Sequence, residues 1–188
     1  GDSLYVVPVH HAGDAGRTLY IPEGIWYSLW DDRPLGHAGQ EVWIPTQLSH
    51  IPVFVRGGHL IPRWPVQQFV GELSSPPTSY ELWWAPHAKE CSYHYEDAGD
   101  GHGYRISQYL YHQFDYVSDA HSFELEHKTT GALEPLSERV ECCLHGLPQG
   151  VHVSIWLDEQ EVATGEFDAK GVLRFILPTR FKKLRLRF

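Results

Sequence analysis

Phe123-Glu124-Leu125-Glu126 and Leu184-Arg185-Leu186-Arg187-Phe188 alternate apolar and charged residues without a break. Successive side chains of a strand point to opposite faces, so each stretch predicts a strand with one buried and one solvated face. The pattern extends in both directions from these two. Runs rich in Val, Ile, Tyr, Trp and Phe recur along the chain, bounded by Gly, Pro and Asp, as in a sandwich or barrel. In the first part they are Leu4–Val9, Thr18–Ile21, Ile25–Trp30, Glu41–Ile44 and Ile51–Val55, followed by Leu60-Ile61. Later come Tyr80–Trp84, Ser92–Tyr95, Tyr109–Val117, Ser122–Lys128, Arg139–Leu144, Val151–Leu157, Val172–Leu177 and Lys183–Phe188. No segment sustains the i, i+3, i+4, i+7 stripe of an amphipathic helix, and no repeat of fixed period is visible. The expected fold class is all-β, with two β-sandwich-like modules in tandem.

The boundary is read from Arg63 to Thr78, which carries Pro65, Gly71, Ser74, Ser75, Pro76 and Pro77. Proline removes a ladder donor, and a Ser-Ser-Pro-Pro run resists regular structure. Modules over 1–70 and 79–188, joined by a linker at 71–78, are therefore expected. Six of the basic residues fall between Arg174 and Arg187. Their alternation with Leu and Phe predicts the solvated face of an edge strand rather than a binding patch.

The 188 residues carry 15 Lys+Arg against 24 Asp+Glu, a formal net charge of −9, and are 42% hydrophobic. That apolar content supports a packed core, and the acidic balance argues against binding a phosphate backbone, so no nucleic-acid partner is expected. No apolar run approaches the roughly 20 residues that span a bilayer, so no membrane partner is expected either. Met is absent and the chain opens directly into Leu4-Tyr5-Val6-Val7, which is read as a piece of something longer. Cys91, Cys142 and Cys143 show no CxxC spacing, and the adjacent pair on a strand would face opposite ways, so buried free thiols are expected. There is no Asn and hence no acceptor for N-glycosylation.

Four features invite a chemical reading. Trp156-Leu157-Asp158-Glu159-Gln160-Glu161 sets two carboxylates three residues apart, as glycoside hydrolysis would need. The alternation on either side instead predicts a hairpin turning at Asp158–Gln160, with the carboxylates as turn charges. Glu96-Asp97-Ala98-Gly99-Asp100-Gly101 suggests a calcium loop but departs from EF-hand spacing, and a β-turn with Asx-type hydrogen bonds accounts for it. Of the thirteen His, none shows HxxxH or HExxH spacing, and isolated surface histidines are expected. No catalytic residue, metal site or cofactor is therefore assigned. Trp83-Trp84 is the sharpest aromatic feature, because on a strand one ring should face away from the core. An interface anchor is the first reading of it and a sugar platform the second, so Trp83 and Trp84 stand as the candidate carbohydrate contacts.

Three blocks in order carry a resemblance: Gly1-Asp2-Ser3-Leu4-Tyr5-Val6-Val7-Pro8-Val9, Leu19-Tyr20-Ile21-Pro22-Glu23-Gly24-Ile25-Trp26-Tyr27, and Ile51-Pro52-Val53-Phe54-Val55-Arg56-Gly57-Gly58-His59-Leu60-Ile61-Pro62. Together they resemble the segment that follows the catalytic barrel in glycoside hydrolase family 31, the α-glucosidase and α-xylosidase family. The second half is similar to that family's distal C-terminal β-domain through His94-Tyr95-Glu96-Asp97-Ala98-Gly99-Asp100-Gly101 and Tyr104, with Ala98 where the family typically has Asp. The family's nucleophile lies in a Trp-x-Asp-Met-x-Glu motif on a barrel strand. Trp156–Glu161 mimics the spacing, but Glu159 replaces the Met, so no catalytic residue is carried over. The resemblance implies non-catalytic proximal and distal C-terminal domains of a retaining α-glycosidase, inactive by themselves. Their partner would be the catalytic (β/α)8 barrel of the same parent chain, and contact with an oligosaccharide is a further expectation. The alternative is a free-standing carbohydrate-binding module resting on Trp83, Trp84, Tyr95 and Tyr109. If the first module packs on a barrel, apolar surface is expected around Trp26, Trp30 or Trp43.

Overall fold

The computed structural model describes residues 2–69, 72, 77, 79–162 and 165–188. Among them there is no α-helix, only β-strands and one 3-10 turn at Gly103–Ile106. The fold is all-β, and it divides into two compact units, Gly1–Gly57 and Gly58–Phe188.

The first unit contains β1 (Leu4–Val6), β2 (Gly16–Tyr20), β3 (Trp26–Ser28), β4 (Glu41–Pro45) and β5 (Val53–Arg56). They form a three-stranded sheet in the order β1-β5-β3 and a two-stranded sheet of β2 and β4. All pairings are antiparallel, with Tyr5 opposite Phe54 and Tyr27 opposite Val55. The alternation turns Leu19, Trp26 and Phe54 inward, where they pack with Val7, Ile21 and Leu35 into one apolar core. Gly16 lets the Trp43 indole lie across its backbone, since a Cβ there would overlap that ring.

The second unit contains β6 (Leu60–Arg63), β7 (Ser79–Trp83), β8 (Lys89–Asp97), β9 (Tyr109–Ser118), β10 (Ser122–Thr130), β11 (Arg139–His145), β12 (Ser154–Leu157), β13 (Gln160–Val162), β14 (Glu166–Phe167), β15 (Leu173–Pro178) and β16 (Lys183–Arg187). A six-stranded sheet runs β13-β12-β16-β10-β9-β8 and faces a five-stranded sheet, β14-β15-β11-β7-β6. Their inner faces meet through Tyr80 on Phe114 at 5.6 Å between ring centroids and Trp84 on Phe123 at 6.1 Å. Polar ties cross the same space. The Leu60 N–H donates to Ser92 Oγ (3.0 Å), and the Tyr116 hydroxyl donates to the Ala85 carbonyl (3.0 Å).

The alternating stretches behave as expected. Leu125 and Leu184 lie opposite each other in the ladder between β10 and β16, and both are fully buried. However, β16 is an interior strand between β10 and β12, not an edge. Its basic face is partly solvated, as expected, and is also matched by opposite charge. Arg185 and Lys183 both reach Glu124 at 2.8 Å, so opposite charge across the ladder helps hold the strand in the sheet interior.

The units divide between Gly57 and Gly58, upstream of the expected 71–78 linker. Leu60-Ile61, read from sequence as a strand of the first module, lies in β6, which is hydrogen-bonded to β7 and forms the edge of the five-stranded sheet. Of residues 71–78 only Glu72 and Pro77 are described, so the linker itself falls outside the described residues.

Candidate functional site

The first unit presents an open groove of about 460 Å³. One wall is the turn after β3, with Trp30, Asp31 and Arg33; the other is the end of β4, with Ile44, and the segment that links it to β5, with Gln47 and His50. Local sequence builds the rim. Asp32 takes a left-handed φ of 59°, and its N–H donates to the Ser28 carbonyl, which swings Trp30 outward. The Trp30 indole N–H donates to the Ile51 carbonyl (2.9 Å), and its ring meets His50 edge-on at 5.1 Å. Trp30, Trp43 and Ile51 are each 55% exposed, and Leu48 is fully exposed. Apolar surface was expected around Trp26, Trp30 or Trp43. Trp30 and Trp43 supply it, while Trp26 is in the core.

Trp83 and Trp84, the candidate sugar contacts, are 2% and 5% exposed. Trp84 lies just past the end of β7 and turns into the space between the sheets, edge-on to Phe188 at 4.8 Å. Trp83 faces the other way but is covered, stacked on His145 at 4.4 Å with planes 11° apart. Neither indole offers a face to a sugar, which corrects the expectation of an exposed ring. Period-2 logic failed here because β7 is an interior strand buried on both faces, with a parallel neighbour, β11. Tyr95 and Tyr109 are stacked on each other at 5.8 Å, so each covers part of its partner's face.

The paired carboxylates near Trp156 are a hairpin, as the alternation predicts. Leu157 pairs with Gln160 across Asp158-Glu159, and both turn residues have positive φ, 47° and 71°, as a two-residue primed turn requires. Asp158 is more than a solvated turn charge, since its Oδ1 accepts the N–H groups of Lys182 and Lys183, each at 2.8 Å. The acidic loop after β8 is a turn as well, with Asp97 Oδ1 accepting the Gly99 N–H (2.8 Å).

No activated nucleophile comes from the cysteines. All three are free thiols, and Cys142 and Cys143 are buried. Burial, helped by the nearby Glu81 and Glu141 carboxylates, pushes the Cys143 thiol up to about 12.

The histidines depart furthest from expectation. His59, His94, His112, His127 and His145 are all buried, and each contacts a carboxylate or another imidazole. The sequence signal was missed because the partners lie on neighbouring strands: His94, His112 and His127 come from β8, β9 and β10, and His145 meets Glu81 across 64 residues.

Residues 1–61 match the glycosyl hydrolase family 31 C-terminal domain. The chain is 42% identical over 66 residues to neutral alpha-glucosidase AB of Mus musculus, covering 34% of this chain and 7% of that protein. It is 30% identical over 156 residues to a 1,6-alpha-glucosyltransferase of Sporosarcina globispora, covering 78% of this chain and 12% of that protein. In three dimensions it superposes on a family 31 dextranase of Flavobacterium johnsoniae complexed with glucose, with a TM-score of 0.82 over 99% of this chain and 26% of that one, at 18% identity. A glucosidase II alpha subunit gives a TM-score of 0.69 over 99% of this chain and 22% of that one, at 17% identity. The chain thus spans only a small part of the proteins it matches. The blocks read in the first 62 residues and the two-unit β-fold agree, and the chain belongs to glycoside hydrolase family 31, as its C-terminal β-domain region.

Proposed function

We propose that this chain is a non-catalytic accessory part of an α-glycosidase, and that its first unit packs against the catalytic (β/α)8 barrel of the same parent chain. The parent would be a retaining enzyme that hydrolyses or transfers α-linked glucosyl or xylosyl residues. The first unit would be the proximal C-terminal β-domain and the second the distal one. The observations that carry this reading are the open groove lined by Trp30, Ile44, Pro52 and Phe54, and the exposure of Trp43, Leu48 and Ile51 on the same unit. A small domain gains nothing from wetting such side chains, and an open apolar groove is what a neighbouring domain covers. Asp158, one of the two carboxylates that the sequence sets beside Trp156, is engaged by the backbone N–H groups of Lys182 and Lys183. The wider chemistry of the relatives, a glucosidase and a glucosyltransferase, supports α-glucosides as the parent's substrate class.

The test is Leu48→Asp made twice, in the parent enzyme and in the 188-residue chain. Leu48 is fully exposed here, so the substitution should leave the melting temperature of the short chain unchanged and lower that of the parent by several degrees. Equal, negligible effects in both would overturn the packing. Turnover of an aryl-α-glucoside by the short chain, abolished by Asp158→Ala, would overturn the accessory role. The free-standing binding module loses its main platform with Trp83 and Trp84 buried, and an absence of maltooligosaccharide binding by the short chain is expected.

A further inference from the structure

The inner face of the six-stranded sheet should be apolar, yet three imidazoles and a carboxylate gather there. Period-2 alternation places His94 and Glu96 of β8 on that face, together with His112 of β9 and His127 of β10. His94 stands directly opposite His112 in the ladder. The rings form a column: His94 to His112 and His112 to His127 are each 5.1 Å between centroids, with planes 18° and 5° apart. The side chains of His94, His112 and Glu96 are 4%, 0% and 10% exposed. Burying this many polar groups is costly unless something satisfies them.

Hydrogen bonding satisfies them only in part. Glu96 Oε1 lies 2.9 Å from His112 Nε2, and His112 Nδ1 lies 2.9 Å from His127 Nε2. An ionised Glu96 only accepts, so His112 must carry its proton on Nε2 and His127 must donate from its own Nε2. His94 does not join this chain. Its Nδ1 stands 3.8 Å from Glu96 Oε1 and 3.4 Å from the Tyr80 hydroxyl, and its Nε2 has no hydrogen-bond partner.

We propose that His94, Glu96 and His112 are a binding site for a divalent cation of the zinc class. One ligand atom from each lies within 4.8 Å of the other two. The two closest separations, 2.9 and 3.8 Å, straddle the roughly 3.4 Å between ligands that a tetrahedral ion at about 2.0–2.1 Å requires. Two imidazole nitrogens with one carboxylate oxygen is a donor set that suits Zn²⁺ and is too poor in oxygen for Ca²⁺. His127 completes the arrangement. With a cation on His112 Nε2, the His112 proton sits on Nδ1 and is donated to His127 Nε2, whose own proton moves to its Nδ1. Both imidazoles stay neutral through this exchange of tautomers, and His127 orients the ligand as an outer partner should. The cation would cross-link β8 to β9.

Isothermal titration of the chelator-stripped chain with ZnCl₂ tests this at pH 7.5. Binding at one ion per chain with a micromolar or tighter Kd is expected. Glu96→Gln and His112→Ala should each weaken it at least 100-fold, and His127→Phe by about 10- to 100-fold. Glu81→Gln, which breaks the separate buried pair with His145, should leave the Kd unchanged. No one-to-one binding by the unsubstituted chain, or binding that survives both Glu96→Gln and His112→Ala, overturns the site. Should the ligand variants fail to fold, Co²⁺ added to the unsubstituted chain decides. Intense visible bands of a four-coordinate ion, displaced by Zn²⁺, support the site, and their absence refutes it. These readouts need neither the barrel nor the groove, so they succeed or fail independently of the proposed accessory role.

Discussion

Trp83 lies flat on His145, 4.4 Å between ring centroids and 11° from parallel, where the two residues face each other across the parallel ladder of β7 and β11. The stack is closed from the side by Glu81, whose carboxylate is 2.6 Å from His145 Nε2. An indole sought as a sugar platform is thus the cover of a buried ion pair.

Trp83→Ala should consequently act on stability and not on ligand binding. Removing a fully buried indole costs about 3–5 kcal/mol, and here it also opens the Glu81–His145 pair to water. Urea denaturation should show a lowered midpoint, with any sugar affinity of the parent enzyme unchanged. A variant of native stability would mean that the ring is not packed as described.

Glu81 sets an acid limit. Burial raises its pKa, but hydrogen bonds from His145 and Ser79 (2.6 Å each) and the charge of His145 outweigh this and hold it below 4.5. A carboxylate lowered in the folded state contributes stability that is present above its unfolded value, near 4.3, and is lost as the pH falls through its folded value. Stability should therefore decline below about pH 4.5. Glu81→Gln should cost on the order of 1–3 kcal/mol at pH 7 and make the acid decline shallower. An unchanged acid limb would show that other groups dominate it.

Asp158 predicts a local effect. One carboxylate oxygen accepts two backbone N–H groups at the start of β16. Asp158→Ala removes both acceptances and leaves an Ala at φ 47°, so a loss of about 1–3 kcal/mol is expected. Asp158→Gly, which removes the bonds but relieves the backbone, should cost less. The order of the two midpoints in thermal unfolding checks this.

Gly131 is irreplaceable for a steric reason. It has φ 110°, and a Cβ built there would overlap the Tyr109 carbonyl oxygen, a backbone atom that cannot move aside. Gly131→Ala should destabilise the second unit by several kcal/mol, on the order of the largest single-residue effects. Limited proteolysis near β9 and β10 would register it; an Ala variant as resistant as the parent chain would contradict the close approach.

How much was legible in advance differs between local and distant features. Phe123–Glu126 and Leu184–Phe188 showed their strands and their buried faces, because alternation is written in consecutive residues. The Asp158-Glu159 turn was legible for the same reason. Leu60-Ile61 was read as a strand correctly but assigned to the wrong unit, since its hydrogen-bonding partner, β7, lies across the 71–78 stretch. The basic face of β16 was read as an edge because Glu124, which matches it, is about sixty residues away in the chain.

By itself, then, the sequence determined strand content, turn positions and the family to which the chain belongs, all properties carried by neighbouring residues and ordered blocks. The tertiary structure alone decided which strands are interior, and with that the burial of Trp83 and Trp84. It also decided that His94, Glu96, His112 and His127 share one face. Cross-strand register brings side chains from three strands within hydrogen-bond reach, and register is a property of the sheet that no single strand records.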